Sequence, residues 1–156
     1  KELDYGKVIE WLDLILELDN NIQYPLLAAI RFYAEVVDEK KQRTMVDYIS
    51  KEFIKNPNER WPFMAHAVYI AKHRIKDQQL ALACSKLIRQ YENVPYWAKQ
   101  MEIFVLEDMG ELESAKVLIG GLLESGELKD EHQINFLTQR LSEIEARQNQ
   151  DPDAIN

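Results

Sequence analysis

Pro62, His66, Tyr69 and His73 recur at intervals of four, three and four residues. On a helix those intervals place the side chains on one stripe. Imidazole and phenol groups can ligate metal, move protons or stack against a partner. A metal site would need further ligands at matching spacing. His66 and His73 lie two turns apart, no HxxxH pair or Cys/His cluster accompanies them, and His132 is far along the chain. No metal and no cofactor is expected. The stripe reads as a mixed aromatic and polar surface suited to a peptide or a partner helix. The plainer alternative is that these side chains pack or pair with neighbouring helices.

Catalysis has less support. Glu107, Asp108, Glu111 and Glu113 form a carboxylate-rich stretch, but charged helix ends are ordinarily solvated. There is no nucleophile elbow, phosphate loop or GxGxxG arrangement. Cys84, the single cysteine, falls among Leu80, Ala81, Leu87 and Ile88 at helical spacing and reads as an inert core thiol. An enzyme is not expected. Trp11, Trp61 and Trp97 sit among apolar neighbours at helical spacing and are expected to anchor the core.

Bulk properties narrow the partners. The 156 residues suffice for one domain with a real core. An apolar fraction of 46% with 29% charge is a globular balance, and only five glycines and five prolines favour helices over a turn-rich sheet. A net charge of −8 repels phosphate backbones, so nucleic acid is not an expected partner. Lys40, Lys41, Arg43, Lys72, Arg74 and Lys76 make the middle less acidic and read as a solvated face. No apolar run is long enough to cross a bilayer, so direct insertion by this segment is not expected. The chain starts with Lys, so localisation is left open: cytoplasmic, or periplasmic if an upstream signal or anchor was removed.

Eight helices are expected to position the stripe. The first, 5–18, is capped by Asp4, carries Val8, Ile9, Leu12, Ile15 and Leu16 inward, and ends at Asp19-Asn20-Asn21. The second, 24–36, packs through Leu27, Ala28, Ile30 and Ala34. Asp38 caps the third, which buries Met45, Ile49 and Phe53 and stops at Asn56-Pro57. Asn58 caps the fourth, with Pro62 in its first turn. Asp77 opens the fifth, the sixth runs 95–109, and the seventh ends at Ser125-Gly126. Gly120-Gly121 interrupts the seventh helix and suggests close approach of a neighbour. Asp130 and Gln133 form a capping box for the eighth, whose apolar stripe is Ile134, Leu137, Leu141 and Ile144.

The pattern repeats. Ile75-Lys76-Asp77 recurs as Met109-Gly110-Glu111 and Ala81 as Ala115, a shift of 34 residues. Pro25, Pro62 and Pro95 each stand beside an aromatic, Tyr24, Trp61 and Tyr96. Trp61-x2-Met64-Ala65-x2-Val68 and Gly110-x4-Ala115-x3-Ile119 resemble the two helices of the tetratricopeptide repeat, and the stretch from Tyr5 to Asn21 resembles its second helix and exit. The resemblance implies an all-α, right-handed superhelix of αα-hairpins with about eight helices. It implies a domain over 1–148: a half repeat at 4–20, repeats at about 22–57, 58–93 and 94–127, a capping helix at 130–148, and a flexible tail at 149–156.

In such arrays the first helices line a concave groove. By that resemblance His66, Tyr69 and His73 face it, with Gln100, Phe104 and Glu107 beside them on the next repeat. Arg74–Asp108 and His73–Glu107 would be inter-repeat contacts. The implied function is a non-enzymatic scaffold that holds a protein or peptide in the groove. The alternative is a structural or oligomerisation segment of a larger protein, membrane-anchored or cytoplasmic, self-associating through the apolar stripe of the 5–18 helix.

Overall fold

A computed structural model describes residues 3–19 and 23–150, and every regular element among them is helical. No helix is long and apolar enough to cross a membrane. The chain forms two compact units, Lys1–Met101 and Glu102–Asn156.

In the first unit, helix starts follow local chemistry. Asp4 accepts a hydrogen bond from the Gly6 N–H at 3.0 Å and opens α1, Tyr5–Leu18. Asp38 accepts from Lys41 N–H at 3.0 Å and opens α3, Glu39–Lys55. Asp77 accepts from Leu80 N–H at 2.9 Å and opens α5, Gln78–Arg89. Each carboxylate satisfies an amide that the helix itself leaves unpaired. α1 buries Tyr5, Val8, Leu12 and Leu16, while Ile9 and Ile15 are half-buried. Asp19 closes α1, and the rest of the expected turn, Asn20-Asn21, lies outside the described residues.

Two helices change pitch. α2 begins as Tyr24–Ala28, with Pro25 in its first turn, and continues over Ala29–Tyr33 with π geometry. There the Ala34 N–H donates to Ala29 O, five residues back, at 2.8 Å. α4 begins as Pro57–Tyr69 and continues in the same way over Ile70–Ile75. Its cap is Asn56 rather than Asn58, so Pro62 lies inside the helix and not in its first turn. α4 ends at Lys76, which is left-handed with φ 59°. α6 follows as Tyr96–Lys99 and Met101–Asp108.

α1 packs on α2 and α3, α2 on α3 and α4, α3 on α4, α4 on α5 and α5 on α6. Fully buried alanines line these contacts, among them Ala29, Ala34, Ala67, Ala71 and Ala81. Met45, Ile49 and Phe53 are fully buried, as their spacing predicts. Two of the three tryptophans are not core anchors, while Trp61 is half-buried. Trp11 is 55% and Trp97 56% exposed, and Trp61 meets Trp97 edge-on at 5.1 Å between ring centres. Alanine-lined contacts bring backbones too close to admit an indole. Leu27 is likewise exposed.

The second unit contains the end of α6, α7 (Leu112–Glu124) and α8 (Glu131–Gln150). α7 packs on α8, burying Ala115 and Ile119 from one and Leu137 and Ile144 from the other. Ile134 is exposed, so the stripe of α8 is narrower than expected. Asp130 accepts from His132 N–H at 2.9 Å. α8 runs to Gln150, past the expected limit at 148, and the remainder of the expected tail, 151–156, lies outside the described residues.

The paired glycines of α7 correct an expectation. A methyl group built on Gly120 or Gly121 meets nothing within 4 Å. No close neighbour requires them. Each then carries only the entropic cost of glycine in a helix, about 1 kcal/mol relative to alanine. Gly120→Ala and Gly121→Ala should each raise stability by about that amount, read as a higher urea midpoint with an unchanged slope. A loss of stability in either variant would mean the space is not open.

Candidate functional site

The structure keeps half of the expected surface together. His66, Tyr69 and His73 are all exposed on α4. The His66 and Tyr69 rings are tilted against each other at 42° with centres 5.6 Å apart, and those of Tyr69 and His73 at 43° and 4.7 Å. The π extension begins just after Tyr69, and π segments often mark functional sites. Arg31 of α2 and Glu35, in the turn that follows it, both act on the charge of His66. Burial, then Arg31, holds its imidazole below the usual histidine value, with Glu35 acting in the opposite direction. Arg74 Nη2 donates to Glu35 Oε2 at 2.6 Å, tying the end of α4 to the turn after α2. The result is an aromatic ladder with a charged margin. It can stack and hydrogen-bond, and among the described residues no cluster could hold a metal ion.

The other three expected residues are placed differently. Gln100 is buried in the first unit. Phe104 is half-buried against Phe136 of α8, ring centres 6.3 Å apart, with the Arg140 guanidinium 5.5 Å above its ring. Glu107 is buried, and its Oε2 accepts from Arg140 Nε at 3.0 Å and Nη2 at 2.7 Å. Phe104 and Glu107 thus pack and pair with α8 inside the second unit, and Gln100 is buried in the first.

Protein-family models, curated proteins and solved structures give no match to this chain.

A group that motif reading missed lies between α1 and α3. Two adjoining hollows, of about 440 and 400 Å³, share Asp13, Glu52 and Lys55 in their linings. Behind them Arg60 Nη1 donates to Glu52 O at 2.8 Å and to Glu52 Oε2 at 2.9 Å, while Lys55 pairs with Glu52 Oε1. Tyr48 lines the larger hollow. The one sequence signal was phase: Tyr48 and Glu52 share the buried face of α3 with Met45, Ile49 and Phe53. A carboxylate there requires a partner. Cys84, by contrast, behaves as expected. It is buried, and burial pushes its thiol up to about 11, so it stays protonated at neutral pH.

Proposed function

We propose that the chain is a non-enzymatic protein–protein interaction scaffold, built as a tetratricopeptide-like superhelix of αα-hairpins. It holds a peptide or a partner helix against the face of α4 that carries His66, Tyr69 and His73. The observation that carries this reading is the ladder itself, three neighbouring and exposed rings on one helix. Exposed aromatic side chains that hold one another in place are suited to be interface anchors. Nothing else in the ladder suggests turnover of a substrate.

The test starts from a displayed peptide library selected on the folded protein. His66→Ala and Tyr69→Ala should each weaken a selected peptide about tenfold or more by calorimetry, with the helical circular dichroism and melting temperature unchanged. Selected peptides that bind the double variant as tightly as wild type would sink the assignment.

A second reading is favoured by α1. Trp11, Leu14 and Leu18 are exposed at intervals of three and four, on a face that adjoins the buried Val8, Leu12 and Leu16. An apolar arc that extends past the buried stripe suits contact with a second layer. This supports self-association or assembly through α1. Sedimentation separates the two readings, because a chain that stays monomeric at high concentration rules out self-association.

A further inference from the structure

The cleft between α1 and α3 is independent of the α4 ladder and has a chemistry of its own. Its lining carries four carboxylates, Asp13, Glu17, Asp47 and Glu52, and two ammonium groups, Lys51 and Lys55. Both lysines are already engaged. Lys51 Nζ lies 2.7 Å from Asp47 Oδ2, and Lys55 pairs with Glu52, whose other oxygen takes Arg60. Asp13 and Glu17 form no ion pair among the described residues. Counting Arg60, the four carboxylates meet three cations, two of which share Glu52, so the cleft carries one negative charge in excess and leaves Asp13 and Glu17 unpaired.

A second observation comes from Tyr48. The residue is 3% exposed, and its hydroxyl is buried with no hydrogen-bond partner among the described residues. Burial pushes the phenol upward, and the nearby charges of Glu52 and Asp13 act in the same direction. An unpaired buried hydroxyl is expensive, and native structures ordinarily satisfy it with protein, water or ligand. A water molecule would satisfy the hydroxyl but leave the charge excess. An anion would meet the unpaired carboxylates. No group of metal-binding side chains is present among the described residues.

We propose that this cleft binds an organic cation, the guanidinium or ammonium group of a basic ligand, seated between Asp13 and Glu17 with Tyr48 in its hydrogen-bond shell. A guanidinium carries five donors and no acceptor, and a carboxylate carries only acceptors. Asp13 can accept two parallel N–H bonds from it. The Tyr48 oxygen, which has no partner of its own, can accept a further N–H. Burial and then Glu52 hold the Asp13 carboxyl above the ordinary value in the empty cleft, and a bound cation acts against both.

The same head group could arrive on a free polyamine-like molecule or on a basic side chain of a protein. Agmatine and the blocked peptide acetyl-Gly-Arg-Gly-amide separate these sources, and the citrulline analogue of the peptide is the neutral control. Each is titrated into the isotope-labelled full chain while the Asp13 carboxyl and Tyr48 ring resonances are followed. One or both cations should shift these resonances saturably, and the citrulline peptide should not. Agmatine alone would point to a free ligand and the peptide alone to a protein side chain. Asp13→Asn and Tyr48→Phe should each weaken binding about tenfold or more, as loss of a charge-assisted contact does. Tyr48→Phe should do so with its melting temperature equal or higher, because it deletes an unpaired hydroxyl. The proposal is overturned by no shift at about 10 mM, which would saturate even a site of about 1 mM affinity. Equal binding of the citrulline peptide, or unchanged binding in Asp13→Asn, overturns it as well.

Discussion

Arg60→Leu is expected to cost about 3–5 kcal/mol of stability, the range for removing one partner of a buried ion pair. The side chains of Arg60 and Glu52 are 3% and 4% exposed. One guanidinium nitrogen serves both the carbonyl and the carboxylate of Glu52. It thereby joins the last turn of α3 to the first turn of α4 across the break at Asn56-Pro57. Leucine fills the volume but leaves the Glu52 carboxylate with Lys55, which reaches in from solvent. That residual partner places the expected loss in the lower half of the range. Urea denaturation of Arg60→Leu, Glu52→Leu and the double variant forms the decisive cycle. The double variant should lose less than Arg60→Leu alone, because the stranded charge is gone. A loss below about 1 kcal/mol for Arg60→Leu would be that of a surface pair and would remove the network from the account of the fold.

That network also marks what could be read from the sequence. Caps were legible, since an Asp at the foot of an apolar-periodic run needs only its own next amides; Asp4, Asp38 and Asp77 all act so. The inward phase of Met45, Ile49 and Phe53 was legible for the same local reason. The partner of Glu52 was not. Arg60 lies eight residues on, and only the geometry of the break between two helices decides that they meet. The exposure of Trp11, Trp97 and Leu27 was illegible too, because burial depends on which surface arrives opposite. The open space at Gly120 and Gly121 belongs to the same class of fact.

The candidate surface divides along this line. His66, Tyr69 and His73 lie within two turns of one helix, so helical geometry alone brings them together, and the structure does. Gln100, Phe104 and Glu107 were placed by a shift of 34 residues, which assumes that corresponding positions meet corresponding neighbours. The neighbours differ. Phe104 and Glu107 meet Phe136 and Arg140 of α8, and no periodicity announced those side chains as partners.

Glu107→Ala tests that reassignment directly, with an expected loss of about 2 kcal/mol in the second unit. The carboxylate is 4% exposed and takes two donors from one guanidinium, at 2.7 and 3.0 Å, with Arg147 Nη1 at 3.6 Å from its other oxygen. Charge-assisted hydrogen bonds of this kind contribute about 1.5–3 kcal/mol each. The sum is discounted because Arg140 is partly solvated and keeps both Glu143, at 3.2 Å, and the face of Phe104. Water therefore recovers part of what the variant gives up. The readout should be local: about 2 kcal/mol corresponds to roughly thirtyfold faster exchange of the α8 amides that open with this contact. Being largely buried, the effect should persist in high salt, where an exposed pair would fade. A Glu107 that served as a wall of a partner groove behaves oppositely, because its removal weakens a bound peptide and leaves amide protection alone. Unchanged protection in α8 would return Glu107 to the surface role that its spacing first suggested. Faster exchange with the selected peptides still bound would leave it as the clasp between α6 and α8.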